Sequence, residues 1–222
     1  MLRGHNHTLG EVGPAQFIPV AETCGLIHGL GHWVLEQVCR QIATWRAAGL
    51  DDLVVSVNVA APQLLRADFL SELREILAAT GYRDDSYALA IEVTETAVMR
   101  DLQRAAAVLR EIRDLGVRVY LDDFGTGYSS LSYLSQLPID VLKIDYSFVS
   151  RLPHEQRAVS LVKAVIALAH SLGLDVVAEG VESDEQLQLL RQFGCNLIQG
   201  FLFSRPASPQ SIPGLVAQLR AH

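Results

Sequence analysis

The chain has 222 residues, half of them hydrophobic, with a formal net charge of −7 and a mean hydropathy of +0.23. These totals support one sizeable core and one domain rather than two, and they exclude long disorder away from the ends. A pI near 5.4 excludes the basic footprint of a protein that binds a nucleic-acid polymer. An anionic small molecule is still accessible if divalent metals lie between the two sets of charge.

Apolar periodicity predicts alternating helices and strands. Residues 31–48 carry Val34, Val38, Ile42 and Trp45 at helical spacing. A strand over 53–58 follows, then a helix over 65–79 and a strand over 88–93. Asp101 caps a helix with Leu102, Ala105, Leu109 and Ile112 inward, stopped near Gly116. A strand over 117–122, a short helix over 129–136 and a strand over 139–144 come next. Val159, Val162, Val165, Ile166 and Ala169 mark a long helix ending near Gly173. A strand over 174–179 leads to Ser183 and Gln186, a capping box. A strand over 197–202 and a helix from about Pro209 close the chain. Residues before Gly31 offer at most the stub of one more strand.

Six strand–helix repeats whose strands are apolar on both faces read as a parallel α/β sheet. No apolar run is long enough to span a membrane and no signal peptide opens the chain. The expectation is a cytoplasmic domain without membrane contact, whose parent protein could be membrane-anchored. Cys24, Cys39 and Cys195 are widely spaced with no CxxC, and read as buried free thiols. His5 and His7 read as solvated, and His28 and His32 as the start of a helix.

Five strands end on a polar residue: Asn58, Glu92, Asp122 with Asp123, Lys143 and Glu179. Barrel enzymes build their sites from such C-terminal strand ends. Asn58, Glu92, Asp122 and Asp123 are hard oxygen donors, suited to Mg²⁺ or Mn²⁺ rather than Zn²⁺. The adjacent pair Asp122–Asp123 repels itself unless a cation lies between, and a bridging carboxylate is a recurrent two-metal device in phosphoester cleavage. Asp51–Asp52 and Asp84–Asp85 lack that context and read as turns. Lys143, between Leu142 and Ile144, reads as buried and therefore in need of anionic partners. Glu179 reads as ligand or general base. Glu95 and Glu182 stand near Glu92 and Glu179 as candidate anchors. The glycines after Asp123 lack the GK[ST] of a P-loop, and beside a diacid they suggest a loop that folds over metal or substrate.

The stretches VNVAAPQL (57–64), EVTET (92–96), DDFGTGYSSLSYL (122–134), LKIDYSFV (142–149), VVAEGVE (176–182) and QGFLFSRP (199–206) resemble the EAL family of cyclic-di-GMP phosphodiesterases over nearly the whole chain. The resemblance implies a (βα)8 TIM-like barrel. It implies hydrolysis of cyclic-di-GMP to linear pGpG with two Mg²⁺ or Mn²⁺ ions, in bacterial second-messenger signalling. Position by position, Asn58, Glu92 and Asp122 resemble the ligands of one metal, and Asp122, Asp123 and Glu179 those of the second. Glu179 is also the implied base, and Lys143 the lysine beside the nucleophilic water. Arg3, Asp145, Gln199 and Pro206 match substrate-side positions, with Gly4 taking the place of Arg3 under a one-residue shift. Glu95 and Glu182 match the carboxylates that hold the loop. A homodimer and an upstream sensor or GGDEF domain are also implied.

The resemblance departs at the start. Leu2-Arg3 looks like the tail of E-A-L-x-R, so the signature glutamate falls just before Met1. The expectation is therefore a single EAL domain over 1–222, N-terminally incomplete, with the first strand and part of the second missing. A degenerate domain that binds cyclic-di-GMP without hydrolysis is the alternative, and an inert interaction fragment is the third reading.

Overall fold

The computed structural model describes residues 4–6, 10–82, 88–126 and 133–220. It opens on two three-residue strands, β1 (Gly4–Asn6) and β2 (Gly10–Val12), paired antiparallel and separate from the main sheet. Helices α1 (Pro14–Thr23) and α2 (Ile27–Ala47) follow. The N-terminal region thus holds more than a strand stub. The α2 helix starts four residues before the predicted Gly31 and takes Gly29 and Gly31 into its first turns.

Six strands then form one parallel sheet in sequence order: β3 (Val55–Asn58), β4 (Leu89–Thr94), β5 (Arg118–Phe124), β6 (Val141–Ile144), β7 (Asp175–Glu179) and β8 (Leu197–Gln199). Helices lie between them: α3 (Ala61–Leu64) and α4 (Phe69–Thr80), α5 (Glu95–Met99) and α6 (Leu102–Asp114), α7 (Tyr146–Val149) and α8 (Gln156–Ser171), and α9 (Asp184–Gln192). A last helix, α10 (Ile212–Arg220), ends the described chain. The architecture is α/β, with a curled parallel sheet of the TIM-barrel kind. All six predicted strands are present, each within a few residues of its predicted bounds.

Alternation along the strands divides the interior in two. Leu89, Ile91, Val93, Val119, Leu121, Leu142, Ile144, Val176 and Ala178 face the helices and join one large core with Leu73, Leu109, Ile112, Val162 and Ile166. Each such fully buried Leu or Ile contributes about 1.5–3 kcal/mol by leaving water. The opposite parity gives a smaller cluster on the inner face, Ala90, Tyr120, Val141 and Val177. Two residues further along the same strands stand Glu92, Asp122, Lys143 and Glu179. The polar strand ends are therefore the upper layer of the barrel's inner face.

Some boundaries differ from the predicted ones for local reasons. The helix predicted over 65–79 is α4, which starts four residues later, at Phe69; α3, with Pro62 in its first turn, lies before the predicted range. Strand β8 stops at Gln199 rather than at 202. At Gly200 the backbone passes so close to Val181 that an added Cβ would lie 2.0 Å from its carbonyl oxygen. The predicted capping box forms: the Ser183 hydroxyl accepts from Gln186 N–H at 3.2 Å, and Gln186 Oε1 accepts from Ser183 N–H at 3.2 Å. Of the helix predicted over 129–136, the described part is a 3-10 turn, Leu134–Gln136. Cys39 and Cys195 are buried free thiols as expected, but Cys24 is exposed, because it ends α1 on the surface.

Candidate active site at the strand ends

Lys143 stands at the centre of a buried carboxylate cluster. Its Nζ lies 3.0 Å from Glu92 Oε2, 3.1 Å from Asp122 Oδ1 and 2.6 Å from Glu179 Oε1. The lysine side chain is 3% exposed and Glu92 is 5% exposed, so these contacts are hardly diluted by solvent. Asn58, from the neighbouring strand β3, donates from Nδ2 to Glu92 Oε2 at 3.0 Å. Five of the sequence-predicted groups thus converge from five adjacent strands.

The diacid reaches the site through a bulge. Leu121 pairs with Leu142 and Phe124 with Ile144, so Asp122 and Asp123 together oppose the single residue Lys143. Asp123 takes φ 57°, the one positive φ outside glycine among the described residues. Its N–H donates to Asp122 Oδ1 at 2.9 Å. Backbone held in this sparse region is commonly found where function requires it.

The charges are unbalanced. Three carboxylates face one ammonium, and Asp123 adds a fourth acid. Burial raises the Asp123 carboxyl above its usual range, and repulsion from Asp122 and Asp145 adds to that. Burial also raises Glu179, opposed by Lys143 and assisted by Asp122 and Glu92. Burial pulls Lys143 down, but Glu92, Asp122 and Glu179 outweigh it and leave the ammonium above the usual lysine range. An oxygen-only donor set with surplus negative charge is the chemistry that hard divalent cations match. The donor types fit a hard divalent cation, although among the described residues no group of three or more His, Cys, Asp or Glu is arranged to hold one.

Beside the cluster is a cavity of about 620 Å³, lined among others by Tyr146, Glu182, Gln199, Phe201, Arg205 and Pro206. Tyr146 and Phe201 are each 51% exposed, and the Arg205 guanidinium stacks 4.8 Å from the Phe201 ring centroid. Aromatic faces beside the Arg205 guanidinium suit a ligand that carries both rings and anionic groups.

The EAL domain family profile matches residues 1–206. The chain belongs to the EAL domain family. Among curated relatives, this EAL domain is 45% identical over 206 residues to the cyclic di-GMP phosphodiesterase NbdA of Pseudomonas aeruginosa, covering 93% of this chain and 26% of that protein. It is 39% identical over 219 residues to the oxygen sensor protein DosP of Escherichia coli, covering 99% and 27%. The chain spans about a quarter to a third of the length of the curated relatives it matches. Among solved structures, the MucR phosphodiesterase in complex with c-di-GMP superposes with a TM-score of 0.91 at 40% identity, covering 96% of this chain and 85% of that one.

The remaining predicted site residues of this EAL domain are placed as follows. Glu95 is 4% exposed, and its Oε2 accepts from Gly125 N–H at 3.2 Å, at the start of the loop after β5. Glu182 is exposed on the cavity wall; most of the loop it was expected to hold, 127–132, lies outside the described residues. Asp145 caps α7 by accepting from Ser147 N–H at 2.9 Å. Gln199 pairs with Glu179 across β7 and β8 and lines the cavity with Pro206. Arg3 lies outside the described residues. The sequence reading did not single out Tyr146, Phe201 or Arg205. Their signal was available in the sequence, as aromatic and basic residues within the same motifs that carry Asp145 and Pro206.

Proposed function

We propose that this EAL domain hydrolyses cyclic-di-GMP to linear pGpG with two Mg²⁺ or Mn²⁺ ions. The observation that carries the reading is the acid cluster drawn around Lys143 at the strand ends, in a chain whose family includes proteins named as cyclic di-GMP phosphodiesterases. Asn58, Glu92 and Asp122 would hold one ion, and Asp122, Asp123 and Glu179 the other. Bound there, the ions would supply a nucleophilic water and charge stabilisation for phosphodiester cleavage.

The chain's own groups have separable tasks. Glu179, raised by burial, is suited to take the proton of an attacking water. Lys143 holds Glu179 in place at 2.6 Å and brings positive charge to the phosphate side. Glu95 fixes the start of the loop beside Asp123. Asp145, Gln199, Pro206 and Arg3 belong to the substrate side, and Glu182 joins Glu95 as a loop anchor. The same reading makes the chain part of a longer cytoplasmic signalling protein, with sensor or GGDEF segments and a homodimeric arrangement. Among the described residues no helix is long and apolar enough to cross a membrane.

The test is a chromatographic assay with cyclic-di-GMP and Mn²⁺. The expected result is pGpG from the wild type, reduced about 10²-fold or more in Glu179→Gln, the scale of a positioned general base. Asp122→Asn should reduce it at least as much. Wild-type turnover in Asp122→Asn would sink the two-metal account. Binding of cyclic-di-GMP without product, in folded protein, would replace hydrolysis by a receptor function.

A further inference from the structure

The centre of the acid cluster is held by the protein itself. An ammonium has three protons to donate, and three carboxylates lie within 3.1 Å of Lys143 Nζ. They come from β4, β5 and β7, and the lysine from β6, so one side chain ties four neighbouring strands together. Two of the three contacted oxygens serve a second donor as well. Glu92 Oε2 also accepts from Asn58 Nδ2, and Asp122 Oδ1 from Asp123 N–H. Among the described residues no group of three or more His, Cys, Asp or Glu side chains is arranged to hold a metal ion. The place where Glu92, Asp122 and Glu179 converge contains Nζ.

We propose that Lys143 is a built-in counter-cation of this site, which assembles the carboxylates before a divalent ion arrives and weakens the ion's binding by competing for the same charge. The inference rests on the metal-dependent reading above. Its basis is Coulombic. Without an ion, three buried carboxylates brought to one point repel one another with little screening, and removing one partner of a buried ionic group leaves uncompensated charge. The ammonium offsets that repulsion and lets the strand ends close. When an ion arrives, the same ammonium is a like charge beside it, and three acceptor oxygens are already in use. The lysine therefore strengthens the metal-free fold and lowers metal affinity together. Occupancy of the site then follows the free divalent-ion concentration instead of staying saturated.

A lysine that served only as scaffold for the ligands would have the opposite sign, since its loss would scatter the carboxylates and weaken the ion. The experiment is calorimetric titration of the full chain with MnCl2, paired with thermal unfolding in EDTA and in Mn²⁺, for wild type, Lys143→Met and Lys143→Arg. Lys143→Met should bind Mn²⁺ about tenfold tighter or more, unfold at a lower temperature in EDTA, and gain more on Mn²⁺ addition than wild type. Lys143→Arg, which keeps the charge, should stay within about threefold of wild-type affinity. If Lys143→Met does not fold in EDTA, it should fold on adding Mn²⁺ but not K⁺; failure to fold with Mn²⁺ overturns the proposal. Unchanged or weaker Mn²⁺ binding by folded Lys143→Met also overturns it, while leaving the metal-dependent function standing. No Mn²⁺ binding by the wild type or either variant overturns both.

Discussion

Gly180 follows Glu179 directly and lies under Tyr146, so it links the acid cluster to the cavity wall. It takes φ 70°, and a Cβ built there would lie 2.1 Å from Tyr146 Cδ2. Gly180→Ala therefore carries two separate costs. The left-handed backbone disfavours an L side chain by about 1–2 kcal/mol. The ring must also leave its position, at about 0.5–1.5 kcal/mol for an off-rotamer side chain. Tyr146 is half exposed, so it yields by swinging outward, which caps the second cost near that range. The sum, about 2 kcal/mol, corresponds to a drop of about 4–8 °C in Tm for a domain of this size. The double variant Gly180→Ala/Tyr146→Ala keeps the backbone cost and removes the clash. Its Tm should lie above that expected by adding the two single effects, with a coupling of about 1 kcal/mol. Function should fall further than stability. Displacing Tyr146 opens one wall of the cavity that the proposed substrate occupies, so KM should rise in Gly180→Ala and in Tyr146→Ala alike. The assays are thermal unfolding and initial rates of pGpG formation. Additive Tm shifts would refute the clash, and a KM unchanged in both single variants would refute the assignment of Tyr146 to the substrate wall.

The other predictions concern the loop and the thiols. Glu95→Ala should lower kcat by releasing the loop at Gly125, with Mn²⁺ affinity kept near wild type while Glu92→Ala loses it; equal losses of metal affinity in calorimetry would place Glu95 among the ligands instead. Burial pushes the Cys39 and Cys195 thiols up to about 11, above the ordinary thiol value of 9.0. Folded-state pKa values above the unfolded ones mean stability that is fully present below about pH 9 and lost as pH rises towards about 11, up to roughly 3 kcal/mol per thiol. Tm measured across that window should fall less steeply in Cys39→Ala than in wild type, once both are referenced to neutral pH. At pH 8 a thiol reagent should titrate one cysteine, Cys24, in the folded protein and three after denaturation.

The strand ends were legible because the strands are short and apolar, so a polar residue could stand only where each strand leaves the core. Lys143 shows how far that reasoning reaches. Its neighbours Leu142 and Ile144 required burial, burial required anions, and the structure supplies three. What the sequence did not show depends on contacts between distant segments. The stop of β8 after Gln199 follows from the approach of Gly200 to Val181, which no local propensity records. The paired strands β1 and β2 were missed because three-residue strands carry almost no periodicity, and α1 because Pro19 stands inside it and reads as a helix breaker. Tyr146 drew no reading of its own, and the packing of α7 beside β7 is what brings it to the cavity wall.

The acidic pair illustrates why both kinds of information are needed. In a regular strand, successive side chains point to opposite faces, so Asp122 and Asp123 could not both serve one site. With Asp122 on the inner face, Asp123 would be driven among Leu121, Ile144 and the helices, where an unpaired carboxylate is untenable. The pair is usable only if the strand gains a residue between them and the next fixed contact. The register supplies that residue: Leu121 and Phe124 keep their partners on β6 while two residues oppose one. The positive φ of Asp123 is the local expression of that extra residue, and aspartate tolerates the left-handed region better than most side chains. The bond from Asp123 N–H to Asp122 Oδ1 then gives the displaced amide a partner in place of the interrupted ladder. Sequence chemistry thus selects residues able to sit in the bulge. The pairing of β5 with β6 creates it, opposite the lysine that gathers the remaining acids.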